Sequence, residues 1–159
     1  MEQATFLDTN ELVLNMGPQH PSTHGVLRVI LKLDGEKVRG TECVIGYLHR
    51  GSEKLFEHEI YSQIITLFDR LDYISNFNNE LGLVMAVEKL MDLEVPDRAE
   101  YIRVILCELN RIASHLLFVA TMGLDAGAMT PSMFCFRGRE RIQGLFEAVS
   151  GARMMHNYF

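Results

Sequence analysis

The 159-residue sequence has no tryptophan, four prolines and three cysteines. Cys43, Cys107 and Cys135 are odd in number and far apart, and none lies in a CxxC pattern. They therefore predict neither a disulfide framework nor a zinc or iron–sulfur ligand set. No uninterrupted apolar run approaches the roughly 20 residues of a membrane span, and the first residues lack the cationic start of a signal peptide. These absences are typical of a soluble or peripheral protein in a reducing compartment.

Basic residues are also fewer than acidic ones: the chain has 15 Lys and Arg and 21 Asp and Glu, for a net charge of −6. Charges of both signs are interspersed, so no basic face is available for phosphates, and we expect no nucleic-acid partner. Hydrophobic residues make up 48% of the chain, which is enough for a sizeable core at this length.

The first third of the chain predicts a small antiparallel sheet. Residues 1–11 form a polar, flexible lead-in, and residues 12–50 hold the strands. Residues 26–33 alternate with a period of two and leave one fully apolar face, which is typical of a half-buried strand. Asp34-Gly35 suits a tight hairpin turn, after which residues 37–45 return as the partner strand.

Residues 51–159 predict a helical bundle, so the fold class is α+β. Residues 52–73 have helical spacing, and a second helix ends before Pro96. A third helix begins with an N1 proline or a capping box at Pro96-Asp97, and Thr130-Pro131 caps a fourth helix that runs toward Gly151. The third helix carries the most regular apolar stripe, which we expect inside the bundle: Ile102, Ile105, Leu109, Ile112, Leu116 and Val119. The chain ends on large apolar residues, so we expect the bundle to be incomplete.

The loop at residues 17–25, Gly-Pro-Gln-His-Pro-Ser-Thr-His-Gly, carries two histidines in a segment that should be neither helix nor strand. Three interpretations remain open. His20 and His24 imitate an HxxxH metal motif, but Pro21 opposes the helix that this motif needs. The histidines could instead satisfy buried carbonyls, or they could form a hydrogen-bonding or proton-transfer site.

Five segments together resemble one family, the D subunit of respiratory complex I, an NADH-quinone oxidoreductase. The resemblance covers residues 12–159 and only the N-terminal part of the family. The segments are residues 17–28 (GPQHPSTHGVLR), 45–54 (IGYLHRGSEK), 68–73 (FDRLDY), 124–131 (LDAGAMTP) and 150–153 (SGAR).

The resemblance implies a quinone-site subunit of a proton-translocating enzyme, next to a neighbouring subunit that carries a [4Fe–4S] cluster, with no metal bound by this chain. Its partners would be the other peripheral-arm and membrane-arm subunits and the quinone. It would lie peripherally on the cytoplasmic face of the bacterial inner membrane, or on the matrix side in a mitochondrion. We expect no turnover from the isolated chain.

By resemblance, His24 and Tyr73 would donate hydrogen bonds to the two quinone oxygens, where negative charge develops, and Asp125 would pair with the histidine. From the residues alone, Tyr73 is more often a core tyrosine, and Asp125 between two glycines suits a loop or cap.

Four further residues receive roles from the same resemblance. Arg50 and Arg70 would lie near the neighbouring cluster, where positive charge favours the reduced state, although either suits an ordinary surface position. His20 would support the loop, and His49 would lie behind the residues that contact the quinone.

Two rival functions follow. The family is related in fold to the large subunit of nickel–iron hydrogenases, which bind metal through Arg-x-Cys-x-x-Cys. Here Asp72 and Ser75 replace both thiolates, and hard oxygen donors disfavour nickel. The second rival is an inert or purely interacting N-terminal fragment, which co-purification with neighbouring subunits would distinguish.

Overall fold

The computed structural model describes residues 11–159, so nearly all of the predicted lead-in, residues 1–11, lies outside the described residues. The described chain divides into two compact units with a boundary between Gly51 and Ser52. A three-stranded antiparallel sheet is followed by five helices, which confirms the α+β prediction.

The first unit is a sheet of strand order β1-β2-β3, formed by β1 (Glu11–Met16), β2 (Arg28–Asp34) and β3 (Lys37–Val44). Asp34 pairs with Lys37, so the hairpin loop is Gly35-Glu36, and Gly35 has the positive φ of 60° that such turns require. Met16 pairs with Val29, and Arg28 with Val44. Because the strands are antiparallel, the histidine loop and the segment after β3 leave the sheet at the same end.

The second unit contains five helices, with these bounds: α1 (Ser52–His58), α2 (Tyr61–Phe68), α3 (Asn76–Met91), α4 (Asp97–Asp125) and α5 (Thr130–Ser150).

The predicted continuous helix over residues 52–73 is wrong, because Ile60 is extended and its N–H donates to the side chain of Gln63, which starts a new helix. The stacked rings of Phe56 and Phe68, with centroids 5.0 Å apart, join the two short helices.

The caps predicted for α4 and α5 are also wrong. Pro96 precedes α4 as the N-cap residue and makes no side-chain hydrogen bond, so α4 has neither an N1 proline nor a capping box. For α5 the N-cap is Met129, whose carbonyl accepts a hydrogen bond from the Ser132 hydroxyl at 2.6 Å. Both helix starts are nevertheless within one residue of the predicted positions.

The core of the second unit lies where α3, α4 and α5 meet. Phe77, Leu106, Cys107 and Phe146 are buried together, and the Phe77 and Phe146 rings meet edge to face at 4.9 Å. Phe77 is fully buried. Burial of an aromatic ring of this size is among the largest single contributions to a core.

The predicted α4 stripe is mostly on the wrong face. Ile105 is 58% exposed and Ile112 is 50% exposed, whereas Leu106, Asn110 and Ala113 on another face are buried. Gly138 lets α5 approach α4 closely, since an added Cβ there would lie 3.3 Å from a methyl group of Leu116, a member of the stripe that is only partly buried. Because α4 is apolar on both faces, spacing alone could not identify the buried one.

Helix α4 also revises the expectation about membrane spans. It is long and apolar enough to cross a membrane, and 28% of its most apolar 18-residue segment is buried. Core helices of soluble proteins satisfy the same criteria, and Glu108, Asn110 and Arg111 lie in the middle of α4. Length and composition are therefore weak evidence for a span.

Candidate functional site

The histidine loop is built around the side chain of Thr23, which is buried. Its hydroxyl lies 3.1 Å from the Pro18 carbonyl oxygen and 3.0 Å from that of His20. The amides of Val26 and Leu27 donate to the Thr23 carbonyl at 3.3 and 3.2 Å. Thr23 therefore satisfies the loop's inward carbonyls, a role that one interpretation gave to the histidines.

The loop contains a single 3-10 turn, Pro21–Thr23, which separates the two histidines. His20 precedes this turn, and its Nδ1 accepts a hydrogen bond from the Ser22 N–H at 3.1 Å. His24 follows it in the left-handed conformation, with φ of 52°. Both imidazoles are exposed. The turn presents the His24 ring outward on a backbone that is fixed on both sides.

His49 and Arg50 follow β3, between Gly46 and Gly51, which both have positive φ. The His49 N–H donates to the Gly46 carbonyl at 3.1 Å, and both side chains are exposed. These two residues belong to the same end of the sheet as the histidine loop. Within the first unit, the fold therefore places four of the predicted site residues at one end: His20, His24, His49 and Arg50.

Tyr73 lies in a turn, residues 69–75, that joins α2 to α3. Two asparagine side chains of α3 hold this turn: Asn76 donates to the Asp69 carbonyl at 2.8 Å, and Asn79 donates to the Asp72 carbonyl at 2.9 Å. Asn110 of α4 donates to the Ile74 carbonyl at 3.3 Å. Tyr73 is 53% exposed, so it is not the core tyrosine that helical spacing alone would favour.

Arg70 lies in the same turn and is exposed, and its guanidinium donates to the Thr66 carbonyl. Asp125 is exposed at the C-terminal end of α4, fifteen residues after Asn110, or about 22 Å along the helix axis. No hydrogen bond joins Tyr73 to Asp125 in the described chain. Arg70 and Tyr73 are thus brought together on one turn, whereas Asp125 lies elsewhere on the second unit.

Sequence reasoning missed a buried acidic pair beside the Tyr73 turn. Asp69 and Glu80 are both fully buried, and their carboxyl groups accept hydrogen bonds from the N–H groups of two consecutive residues, Asn157 and Tyr158. Glu80 lies three residues after Phe77 and four before Val84, so it falls on the apolar stripe of α3. A carboxyl group on an apolar helix face is a recognisable signal of a buried acid.

Burial raises the pKa of Asp69 to about 7, and the hydrogen bond from Glu80 and its negative charge act in the same direction. The Asn157 N–H and the Arg70 charge oppose this shift. Nearby, burial lowers the pKa of His156, whose ring stacks on Phe77 with centroids 4.1 Å apart. At neutral pH, His156 is therefore a neutral part of the core.

No group of three or more His, Cys, Asp or Glu side chains that could hold a metal ion occurs among residues 11–159.

Comparisons with known proteins identify the class of protein that this chain resembles. Residues 125–159 match the family model of the respiratory-chain NADH dehydrogenase 49 Kd subunit. The whole chain is 60% identical, over 159 residues, to the second D subunit of NADH-quinone oxidoreductase from Solibacter usitatus, of which it covers 43%.

Two further D subunits of NADH-quinone oxidoreductase match at similar levels. The one from Citrifermentans bemidjiense is 58% identical over 93% of this chain and 38% of its own length, and the one from Clostridium beijerinckii is 56% identical over 99% and 43%. The chain belongs to the family of NADH-quinone oxidoreductase D subunits. It spans about two fifths of the length of the curated relatives it matches.

Proposed function

We propose that this chain contributes to the quinone-reducing site of an NADH-quinone oxidoreductase. His24 and Tyr73 donate hydrogen bonds to the two carbonyl oxygens of the quinone ring. The observation that carries the proposal is the 60% identity over all 159 residues to a protein named for this activity.

The reaction adds two electrons and two protons to a quinone and gives a quinol. The chemistry needs donors at both carbonyl oxygens, because negative charge develops there as electrons arrive. A phenol and an imidazole each donate at about 3 Å and can each transfer a proton and be reprotonated. An iron–sulfur cluster in a neighbouring subunit would supply the electrons.

The local geometry of both donors suits this role. His24 is exposed, and the buried Thr23 hydroxyl and the Val26 and Leu27 amides fix the backbone on either side of it. Tyr73 is exposed on a turn that three asparagine side chains hold in place. Donors held by rigid turns lose little entropy when they meet a planar ring.

The other residues have supporting roles in the proposal. Asp125, exposed at the end of α4, accepts a hydrogen bond from the His24 ring and orients it. Arg50 and Arg70 provide positive charge toward the cluster. His20 braces the loop through Ser22, and His49 lies behind the residues that contact the quinone.

The partners in this proposal are the other subunits of the complex, and the chain lies peripherally on the cytoplasmic face of the membrane. Exposed apolar residues on α4 and α5 support subunit contacts, since isolated surfaces rarely leave so many large side chains exposed. These residues include Ile105, Phe118, Phe134 and Phe136.

The test uses the oxidoreductase that contains this sequence. Tyr73→Phe and His24→Gln are compared with Tyr101→Phe and His58→Gln, which change an exposed tyrosine and an exposed histidine elsewhere. We expect the first pair to lower the rate of quinone reduction by NADH about 100-fold or more. NADH oxidation by ferricyanide should be unchanged, because it does not need the quinone site.

Wild-type quinone reduction in Tyr73→Phe and His24→Gln would refute the proposed donors. If those variants are active and the chain still co-purifies with its neighbours, it has a binding role only.

A further inference from the structure

We propose that Asp69 and Glu80 form a buried proton-binding site, in which one shared proton holds residues 155–159 against the turn that carries Tyr73. This inference goes beyond the quinone function and does not depend on it.

Each carboxyl group uses one oxygen to accept backbone N–H groups from the same segment. Asp69 Oδ2 accepts from the Asn157 N–H at 3.1 Å. Glu80 Oε2 accepts from the N–H groups of Tyr158 and Phe159 at 2.8 and 3.0 Å. The two carboxyl groups therefore hold three consecutive residues, Asn157, Tyr158 and Phe159, by hydrogen bonds to their main-chain N–H groups.

The other oxygen of each carboxyl group, Asp69 Oδ1 and Glu80 Oε1, is buried and has no N–H or O–H donor in the described chain. Two carboxylates cannot hydrogen-bond to each other, because both are acceptors only. One proton between them gives both remaining oxygens a partner. Without that proton, two negative charges would be in contact and shielded from water, which is strongly unfavourable.

Few charges in the surroundings could replace the proton. Arg70 acts on Asp69 from the same turn, but its guanidinium is exposed and donates to Thr66. Arg103 of α4 pairs with Glu88 at 2.5 Å and lies over the Phe159 ring.

Two more titratable groups face the pair. His156, in the fastened segment, is buried beside Phe77, and Cys107 of α4 is a buried thiol. Burial keeps His156 neutral at pH 7, so it does not neutralise the pair.

The proton joins two parts of the second unit. Asp69 is the first residue of the turn that ends at Ser75, and its own carbonyl is held by Asn76. Glu80 lies one helical turn further along α3. Loss of the proton would make the carboxylates repel each other and would loosen both residues 155–159 and the base of the Tyr73 turn.

The first test is an infrared titration of the 159-residue chain, which follows the C=O stretch of protonated carboxylic acid. Wild-type protein should retain one protonated carboxyl group at pH 6, with loss centred near pH 7. Asp69→Asn should remove this signal, whereas Glu108→Gln, an exposed control, should keep it. Absence of the signal in wild type at pH 6, or its persistence in Asp69→Asn, would overturn the shared proton.

The second test is hydrogen exchange at the amides of Asn157, Tyr158 and Phe159, corrected for the intrinsic pH dependence. Wild-type protection should fall by up to tenfold per pH unit above about pH 7, because release is linked to one proton. Asp69→Asn should show no such fall, since its carboxamide donates to Glu80 at every pH. Wild-type protection that stays constant from pH 6 to 9 would refute the fastening role.

Discussion

Two glycines of the histidine loop allow a matched test of its shape. Gly17 and Gly25 have nearly equal positive φ values, 82° and 80°. Their surroundings differ. A Cβ on Gly17 would lie 2.1 Å from the Leu27 carbonyl oxygen and 2.7 Å from Thr23 Oγ1, whereas a Cβ on Gly25 would meet nothing within 4 Å.

The expected costs follow from these contacts. Alanine in the left-handed conformation costs about 1–2 kcal/mol at either position. At Gly17 the new methyl group must also displace a backbone carbonyl, and overpacking of this kind costs about 1–3 kcal/mol more. We therefore expect Gly17→Ala to weaken the loop by about 2–5 kcal/mol and Gly25→Ala by about 1–2 kcal/mol.

The assay is hydrogen exchange at the Leu27 amide, which donates to Thr23 across the loop at 3.2 Å. The additional 1–3 kcal/mol corresponds to exchange about 5- to 150-fold faster in Gly17→Ala than in Gly25→Ala. Equal exchange rates in the two variants would show that Gly17 is not enclosed by Thr23 and Leu27.

Four further changes test the account. Thr23→Val removes the hydroxyl donor that the Pro18 and His20 carbonyls share, so loop amides should open about 1–3 kcal/mol more easily, and unchanged exchange would contradict this. Phe77→Ala should lower the free energy of unfolding in urea by about 3–5 kcal/mol, and a loss below 1 kcal/mol would show a loose core. Glu88→Gln leaves the mostly buried Arg103 without its charged partner and should cost about 1–3 kcal/mol in the same assay, whereas no loss would show that water already screens the pair. His156 has a lowered pKa, so its stabilising contribution is complete above about pH 6.5 and is lost as the pH falls; His156→Gln should reduce the loss of stability between pH 7 and 5, and an unchanged loss would argue against its burial.

The sequence was sufficient for the order and type of most elements. Alternation in residues 26–33, the Asp34-Gly35 turn and Thr130-Pro131 are local signals, and each marks a structure that depends mainly on neighbouring residues. The break between α1 and α2 was not predicted, because it depends on one hydrogen bond that the Ile60 N–H donates to the side chain of Gln63.

The residues of the candidate site could not be identified as well as the helices and strands from neighbouring residues in the sequence. The roles of His24 and Tyr73 came from the family resemblance, since the spacing of Tyr73 alone favoured a core residue. The pairing of Asp69 with Glu80 required the fold, because they lie eleven positions apart in the sequence and α2 and α3 must pack before they meet. The exposed stripe of α4 was misassigned because that helix is apolar on two faces.

The central claim is that His24 and Tyr73 contact one quinone ring. The most direct measurement is photolabelling of the assembled oxidoreductase with a quinone that carries a photoreactive group on its ring, followed by mapping of the labelled peptides. We expect labels in both residues 17–25 and residues 69–75, and excess unlabelled quinone should suppress both. Labels in only one of these segments, or in neither, would contradict it.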